Sequence, residues 1–403
     1  MSPPDSWGEQ YLQLVLRIDR QVPGYVDAYI GPASLRQAVQ EEEVHPPAVL
    51  LQHVAELEAA LPHQGYEEKR RLFLEKQLRA IETMVRRLNG ETLPYREEVQ
   101  RCFDICPPYV PEETFLAAHA ELEEVLPGEG SLSGRLQAYR DQSIVPPEKV
   151  MGLVQTVLAE IRRRTRELVP LPAEEGVEVV LVREKPWGAY NWFLGGARSR
   201  IELNTDLPTR AAGLVGLFAH EAYPGHHTEL VLKESLLYRG QGREETAIYP
   251  LNTPASVIAE GLADYGVHII FEDAERVRWQ NEVLYPQVGL APASVEQVLR
   301  LEQAGRRLRS VSGNAALLLH EKGWPADEVA AYIERYALSK PEEAEHTLRF
   351  LQAPLFRAYI FCYATGEALV EEAMAHTADR GALFRRLLQE VWTPSALVAL
   401  GRA

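Results

Sequence analysis

Apolar residues recur every three to four positions through most of the first 169 residues, in stretches such as 57–88 and 149–168, and that spacing predicts amphipathic helices. Pro-rich breaks at Val44-His45-Pro46-Pro47, Cys106-Pro107-Pro108 and Val145-Pro146-Pro147 separate them. The pattern changes after Pro170-Leu171-Pro172: Val177-Glu178-Val179-Val180-Leu181-Val182 is rich in β-branched residues and predicts a strand. Residues 188–204 predict a hairpin or a bulged strand, leading into a helix that starts near Pro208. Helical spacing then returns at 255–279, 295–320, 326–336, 341–375 and 383–391, with no internal repeat. The expectation is a mainly α fold of two lobes, 1–170 and 171–403, joined as one unit, with a small antiparallel β-sheet ahead of the Pro208 helix.

Length and composition narrow this picture only modestly. A chain of 403 residues, 46% hydrophobic, has ample material for a core. Its 58 acidic and 42 basic side chains leave a formal charge of −16, which argues against nucleic acid or an anionic membrane as partner. Met1-Ser2-Pro3-Pro4-Asp5 lacks the basic-then-apolar order of a secretion signal, and no run of about 18 apolar residues occurs, so a soluble, cytoplasmic protein is expected. Cys102, Cys106 and Cys362 are too few for a disulfide framework, and a lone C-x3-C is a poor metal signal.

The candidate chemistry lies in His220-Glu221-Ala222-Tyr223-Pro224-Gly225-His226-His227. In an ordinary H-E-x-x-H helix the histidines stand four apart on one face and share a zinc, with the Glu as general base. Here an unbroken helix would separate His220 and His226 by ~9 Å along the axis and ~240° around it. Pro224 removes a donor and crowds the carbonyl of His220, and Gly225 tolerates unusual backbone angles, so a kink or a π-like widening is expected there. Spacing alone leaves either His226 or His227 as the second ligand.

A third ligand is expected on the next helix, where Glu260, Asp264 and His268 fall at i, i+4 and i+8 on one face. Glu260, among Ile258, Ala259, Leu262 and Ala263, reads as the buried carboxylate ligand. Asp264 reads as the carboxylate that orients a ligating imidazole through its second nitrogen.

These residues resemble the bacterial family called domain of unknown function 885, one of the glutamate-ligand zinc peptidases, whose motif H-E-x-x-P-G-H-x-L-Q is followed by E-G-W-A-x-Y. The chain shows His220-Glu221-x-x-Pro224-Gly225-His226 and then Glu260-Gly261-Leu262-Ala263-Asp264-Tyr265. Thr228-Glu229 replace Leu-Gln, Leu262 replaces Trp, and Val267 stands where the family has an acid, which makes this a divergent branch. The resemblance implies His226 rather than His227 as ligand, one Zn2+ per chain, and a helical, two-lobed, zincin-like metallopeptidase with a deep cleft.

The stretch 349–366 is similar to the family's last helix, ending in Tyr363-Ala364-Thr365-Gly366. Tyr363, with Tyr359 one turn earlier as the alternative, is the candidate oxyanion donor. Arg349 or Arg357 is the candidate clamp for a peptide carboxylate, and Asn204 at the strand end is a further candidate substrate contact. His227 is a candidate donor to a metal-ligating side chain or a candidate transition-state partner. His268, His320 and His376 read as structural histidines, and Tyr223 as packing. The expected activity is zinc-dependent hydrolysis of short peptides, of carboxypeptidase, dipeptidase or oligopeptidase type. A hydrolase of another amide or ester and a non-catalytic helical peptide-binding protein are the rival readings.

Overall fold

The computed structural model describes residues 6–185 and 187–401; the Met1–Asp5 expectation lies outside the described residues. The first part of the chain forms α1 (Trp7–Asp19), β1 (Val26–Tyr29), α2 (Ala33–Glu41), α3 (Pro47–Ala60), α4 (Glu68–Leu88), α5 (Tyr95–Phe103), α6 (Glu112–Val125), α7 (Leu132–Asp141) and α8 (Val150–Leu168). There follow β2 (Gly176–Val182), β3 (Ala189–Gly195), β4 (Arg198–Asn204), α9 (Ala211–Glu221), α10 (His226–Lys233), β5 (Ile248–Pro250) and α11 (Pro254–Ile270). The remainder comprises α12 (Asp273–Trp279), α13 (Tyr285–Val288), α14 (Val295–Leu308), α15 (Ser310–His320), α16 (Ala326–Ala337), α17 (Pro341–Gln352), α18 (Phe361–Ala375), α19 (Arg380–Gln389) and α20 (Pro394–Gly401). The fold is mainly α, as expected.

Proline decides where several of these helices stop. The single helix expected over 57–88 is two, α3 and α4, because Pro62 cannot donate to the ladder and a short 3-10 turn at Leu61–His63 takes over. The helix expected over 341–375 is likewise α17 and α18, divided at Ala353-Pro354. The helices expected over 255–279 and 295–320 each divide in two as well, after Ile270 and at Arg309.

The sheet has the order β2-β4-β3. Its hairpin, β3 against β4, is antiparallel as expected, but β2 joins β4 in parallel, from Gly176 opposite Arg198 to Val182 opposite Asn204, so the sheet is mixed. β3 is therefore an edge strand. A second ribbon pairs β1 with β5 in antiparallel fashion and ties residues 26–29 to 248–250.

The hydrophobic cores ignore the sequence boundary near residue 170. One gathers α1, α3 and α4 with Leu237, Ile248 and Val391; another packs α5 and α6 against α14, α15 and α16. α11 runs through the middle, and only its Asp264, His268 and Ile269 escape full burial. Two glycines allow its neighbours to come this close. A Cβ on Gly261 would lie 2.3 Å from the carbonyl oxygen of Gly366, and one on Gly266 would lie 3.0 Å from Cγ of Pro224. Thus α18 and the turn after α9 both press directly on the α11 backbone. No helix among the described residues is long and apolar enough to cross a membrane.

Candidate functional site

α9 is an apolar helix that ends on the two residues of greatest interest, His220 and Glu221. The widening expected at Pro224-Gly225 is present, and it takes the form of oversized turns. Tyr223 N–H bonds to the carbonyl of Phe218 (3.2 Å), Gly225 N–H to that of Ala219 (2.9 Å) and Thr228 N–H to that of Ala222 (3.2 Å), so the bonds span five and six residues instead of four. The Tyr223–Pro224 peptide is cis. Gly225 is required sterically, because a Cβ there would lie 1.9 Å from the His220 carbonyl oxygen. The Glu221 carbonyl, released from helical pairing, accepts instead from the side-chain amide of Asn191 on β3 at 2.6 Å. α10 begins at once with His226, and its ring returns beside His220 with the two Nε2 atoms 3.1 Å apart.

α11 delivers the third member. Glu260 Oε2 lies 3.3 Å from His220 Nε2 and 3.8 Å from His226 Nε2. That oxygen is buried and has no hydrogen-bond donor, a state that ordinarily costs 1–3 kcal/mol or more for a charged group. The other oxygen, Oε1, accepts from the Tyr359 hydroxyl at 2.7 Å. Asp264 Oδ1 meets His220 Nδ1 at 3.0 Å; the aspartate accepts, so Nδ1 carries a proton and Nε2 is the nitrogen that faces the cluster. Asp264 is held in turn by Arg309, which also bonds Glu367. Three donor atoms of His220, His226 and Glu260 thus lie within 4.8 Å of one another and could hold a cation.

The electrostatics are those of a shared negative site. Burial opposes charge on His220, yet its bond to Asp264 and the Glu260 carboxylate hold its pKa well above the usual histidine range. Burial likewise works against Glu260 and Asp264, but His226 and His220 lower the first and His220 lowers the second. Glu221 is raised, foremost by burial and then by the Glu260 and Asp264 charges, against the pull of the two histidines. Tyr363 is partly exposed, and burial followed by the fields of Glu260, Cys362, Glu221 and Asp264 pushes its phenol far up, so it remains a proton donor.

Several expected site residues lie elsewhere. His227 is 0% exposed and faces away from His226: Nδ1 meets Ser199 Oγ at 2.8 Å and Nε2 meets Glu175 at 3.3 Å. Tyr223 also donates to Glu175 (2.6 Å), and Arg162 and Arg166 complete the group, so the structure ties the His227 ring into this buried network and not into the His220–Glu260 cluster. Arg357 is committed to Glu98 (3.5 Å) and stacks on Tyr95, whose hydroxyl bonds the Arg357 carbonyl. Arg349 projects from α17 with its side chain 64% exposed beside Glu345. Among the described residues, no hydrogen bond or ion pair links either arginine to the His220–Glu260 cluster. Asn204 bonds the carbonyls of Lys185 and Trp187 and the N–H of Asp206, shaping the loop instead of a binding surface. The Tyr359 hydroxyl is directed at Glu260, to which it donates at 2.7 Å.

Two residues with no motif of their own join the site. Asp27 of β1 accepts from the hydroxyl of Tyr190 on β3. Its pKa is pushed up to about 6, by burial first, with Glu260 and Glu221 adding to the rise and Tyr190 and His226 opposing it. Tyr190 stands 4.7 Å from Trp192 and 5.2 Å from Trp187, ring centre to ring centre, forming an aromatic wall beside the carboxylates.

No family model matches the sequence, and no curated protein matches it either. Among solved structures the chain is similar to a "putative lipoprotein" from Colwellia psychrerythraea, with TM-score 0.55 and 14% identity over 88% of this chain and 66% of that one. It is also similar to a Shewanella oneidensis protein described in the same terms and as of unknown function, with TM-score 0.53 and 13% identity over 91% and 75%. An M32 carboxypeptidase from Deinococcus radiodurans R1 aligns with TM-score 0.41 and 12% identity over 98% and 93%. The chain thus spans about two thirds of the length of the Colwellia protein, and what it shares with the two lipoprotein structures is the fold.

Proposed function

We propose that the chain is a zinc-dependent peptidase of short peptides, with His220, His226 and Glu260 as metal ligands and Glu221 as general base. The observation that carries this reading is the Oε2 atom of Glu260: buried, without a donor, and aimed between two imidazole nitrogens. Two imidazoles and a carboxylate form a zinc-type donor set. Their separations of 3.1, 3.3 and 3.8 Å surround the roughly 3.3 Å between ligand atoms in a tetrahedral site with bonds of about 2.0–2.1 Å. The order of motifs along the chain, which resembles the domain of unknown function 885 family, supports the same assignment.

When bound, the metal would acidify a water and polarise the scissile carbonyl. Glu221 adjoins His220 but is not among the three converging groups, and its raised pKa suits it to take the attacking water's proton and pass it to the leaving amine. Tyr363 donates its O–H to the carbonyl oxygen as negative charge gathers there. Asp264 keeps the His220 ring in one tautomer and one orientation, and Tyr359 keeps Glu260 in one rotamer. β3, an edge strand anchored to α9 through Asn191, aligns an extended peptide by main-chain pairing.

The test is metal analysis of the purified protein together with digestion of a mixture of short peptides. The expected result is one zinc per chain after reconstitution and cleavage that stops with a chelator and returns with zinc. A protein that takes up no zinc and cleaves no peptide would refute the reading.

A further inference from the structure

Among the described residues, neither Arg349 nor Arg357 is bonded to the His220–Glu260 cluster. Arg357 is occupied by Glu98, and Arg349 is exposed beside Glu345. Among the described residues the one arginine hydrogen-bonded into the carboxylate group is Arg309, which is shared by Asp264 and Glu367. What the site has in excess is negative charge and aromatic surface. Asp27 comes from β1, far from every motif, and its hydrogen bond among the described residues is the one it accepts from Tyr190. Tyr190 adjoins Asn191, whose side-chain amide bonds the Glu221 carbonyl at 2.6 Å, so β3 brings this corner beside the candidate centre. Asp27 and Trp192 also line a cavity of about 320 Å3 between β1, α1, α2 and β3, so open space adjoins this corner. Lys185 lies near the Trp187 ring (5.4 Å), whereas no cation is placed over Tyr190 or Trp192 among the described residues, and these two rings pack on each other at 4.7 Å. The indole N–H of Trp192 is buried without an acceptor.

Resting on the peptidase reading above, we propose that Asp27, Tyr190 and Trp192 form a subsite for the free α-ammonium group of the peptide, so that the enzyme acts from the amino terminus. Arg20 and Arg36 also line the cavity, but Arg20 is bonded to the carbonyls of Val39 and Glu42 and Arg36 lies over the Tyr29 ring, so an ammonium ion would give the Asp27 carboxylate a bonded cation, beside the rings of Tyr190 and Trp192. The Tyr190 hydroxyl fixes the Asp27 rotamer. Because Tyr190 and Trp192 belong to β3, the strand that aligns the substrate also carries the group that reads its end.

The experiment uses the full chain carrying Glu221→Gln, loaded with zinc, so that binding is read by calorimetry without turnover. Four versions of one tripeptide are compared: free at both ends, N-acetylated, C-amidated, and N-acetylated with lysine first. N-acetylation is expected to weaken binding at least about tenfold, a charge-assisted hydrogen bond being lost, and C-amidation to change it less than about twofold. Adding Asp27→Asn should erase the difference between free and acetylated peptides, and adding Tyr190→Phe should reduce it. Circular dichroism and melting check the fold of each, and Tyr190→Phe carries the test if the Asp27 variant does not fold. Equal binding of free and acetylated peptides overturns the subsite, as does an undiminished difference in both variants. Recovery of tight binding by the acetylated lysine peptide overturns the α-ammonium assignment in favour of a basic side chain. If zinc binds and the parent enzyme cleaves peptides while acetylation has no effect, only the subsite fails; if no zinc and no peptide bind, the peptidase reading fails with it.

Discussion

His226 and His227 are neighbours in sequence and opposite in circumstance. His226 faces Glu260, His227 faces Glu175, and both carboxylates are buried. Around Glu175 every oxygen has donors: Arg162 and Arg166 on one, Tyr223 and His227 on the other. Burial would raise this carboxyl, but His227, Tyr223 and Arg162 bring it down to about 2. Around Glu260 one oxygen is satisfied by Tyr359 and the other by nothing. A closed network of this kind fixes a structure, whereas one with a missing partner is arranged for something that arrives later. The same turn at Tyr223-Pro224-Gly225 has a closed network on one side and an open one on the other.

Substitutions should separate the two networks. The largest effects are expected from Glu221→Gln and Glu260→Gln, each lowering turnover of any cleaved peptide by about a hundredfold or more. Metal analysis tells them apart: the first variant keeps its zinc and the second loses most of it, and full zinc in Glu260→Gln would remove that residue as a ligand. Asp264→Asn, which loosens His220 without touching the metal, should weaken zinc binding by about 10–100-fold in a chelator competition. Glu175→Gln should leave zinc affinity within about threefold while destabilising the fold by about 2–3 kcal/mol in denaturant titration, because Arg162, Arg166 and His227 lose a common acceptor.

That variant also predicts a pH effect. The folded pKa of Glu175 is depressed from 4.5 to about 2, so its stabilisation is complete above pH 4.5 and is lost as the pH falls toward 2. The melting temperature of the parent should therefore fall more steeply than that of Glu175→Gln between pH 4.5 and 2, and parallel curves would contradict the assignment. The smallest effect is expected from Arg349→Ala: with its side chain exposed, it should change kcat and KM less than about twofold on peptides with free carboxylates.

How much of this was legible beforehand follows the range of the interactions. His220, Glu221, Pro224 and Gly225 encode the widened turn within six residues, and Glu260 and Asp264 lie one helical turn apart, so spacing and side-chain chemistry suffice to place them. The choice between His226 and His227 depends on how α10 is rotated as it leaves Gly225, which no periodicity records. Tyr359 bonds Glu260 across 99 residues, and Asp27 meets Tyr190 across 163; both pairings are created by packing. Arg357 looked available because its partner Glu98 lies in a different part of the chain. The mixed sheet was missed for the same reason, since parallel pairing of β2 with β4 leaves no local turn signal.

The contact between Gly261 and Gly366 sets a length that matters elsewhere. A Cβ at Gly366 would stand 2.4 Å from the Val257 carbonyl oxygen, whereas ordinary contacts begin near 3.4 Å, so an alanine there would drive α18 about 1 Å away from α11. Tyr359 precedes α18 and Glu260 belongs to α11, and the 2.7 Å between them would stretch beyond hydrogen-bonding reach. The side chains that surround the candidate centre are therefore gauged by two residues that have no side chain, and the tolerance of the whole assembly is narrower than one methyl group.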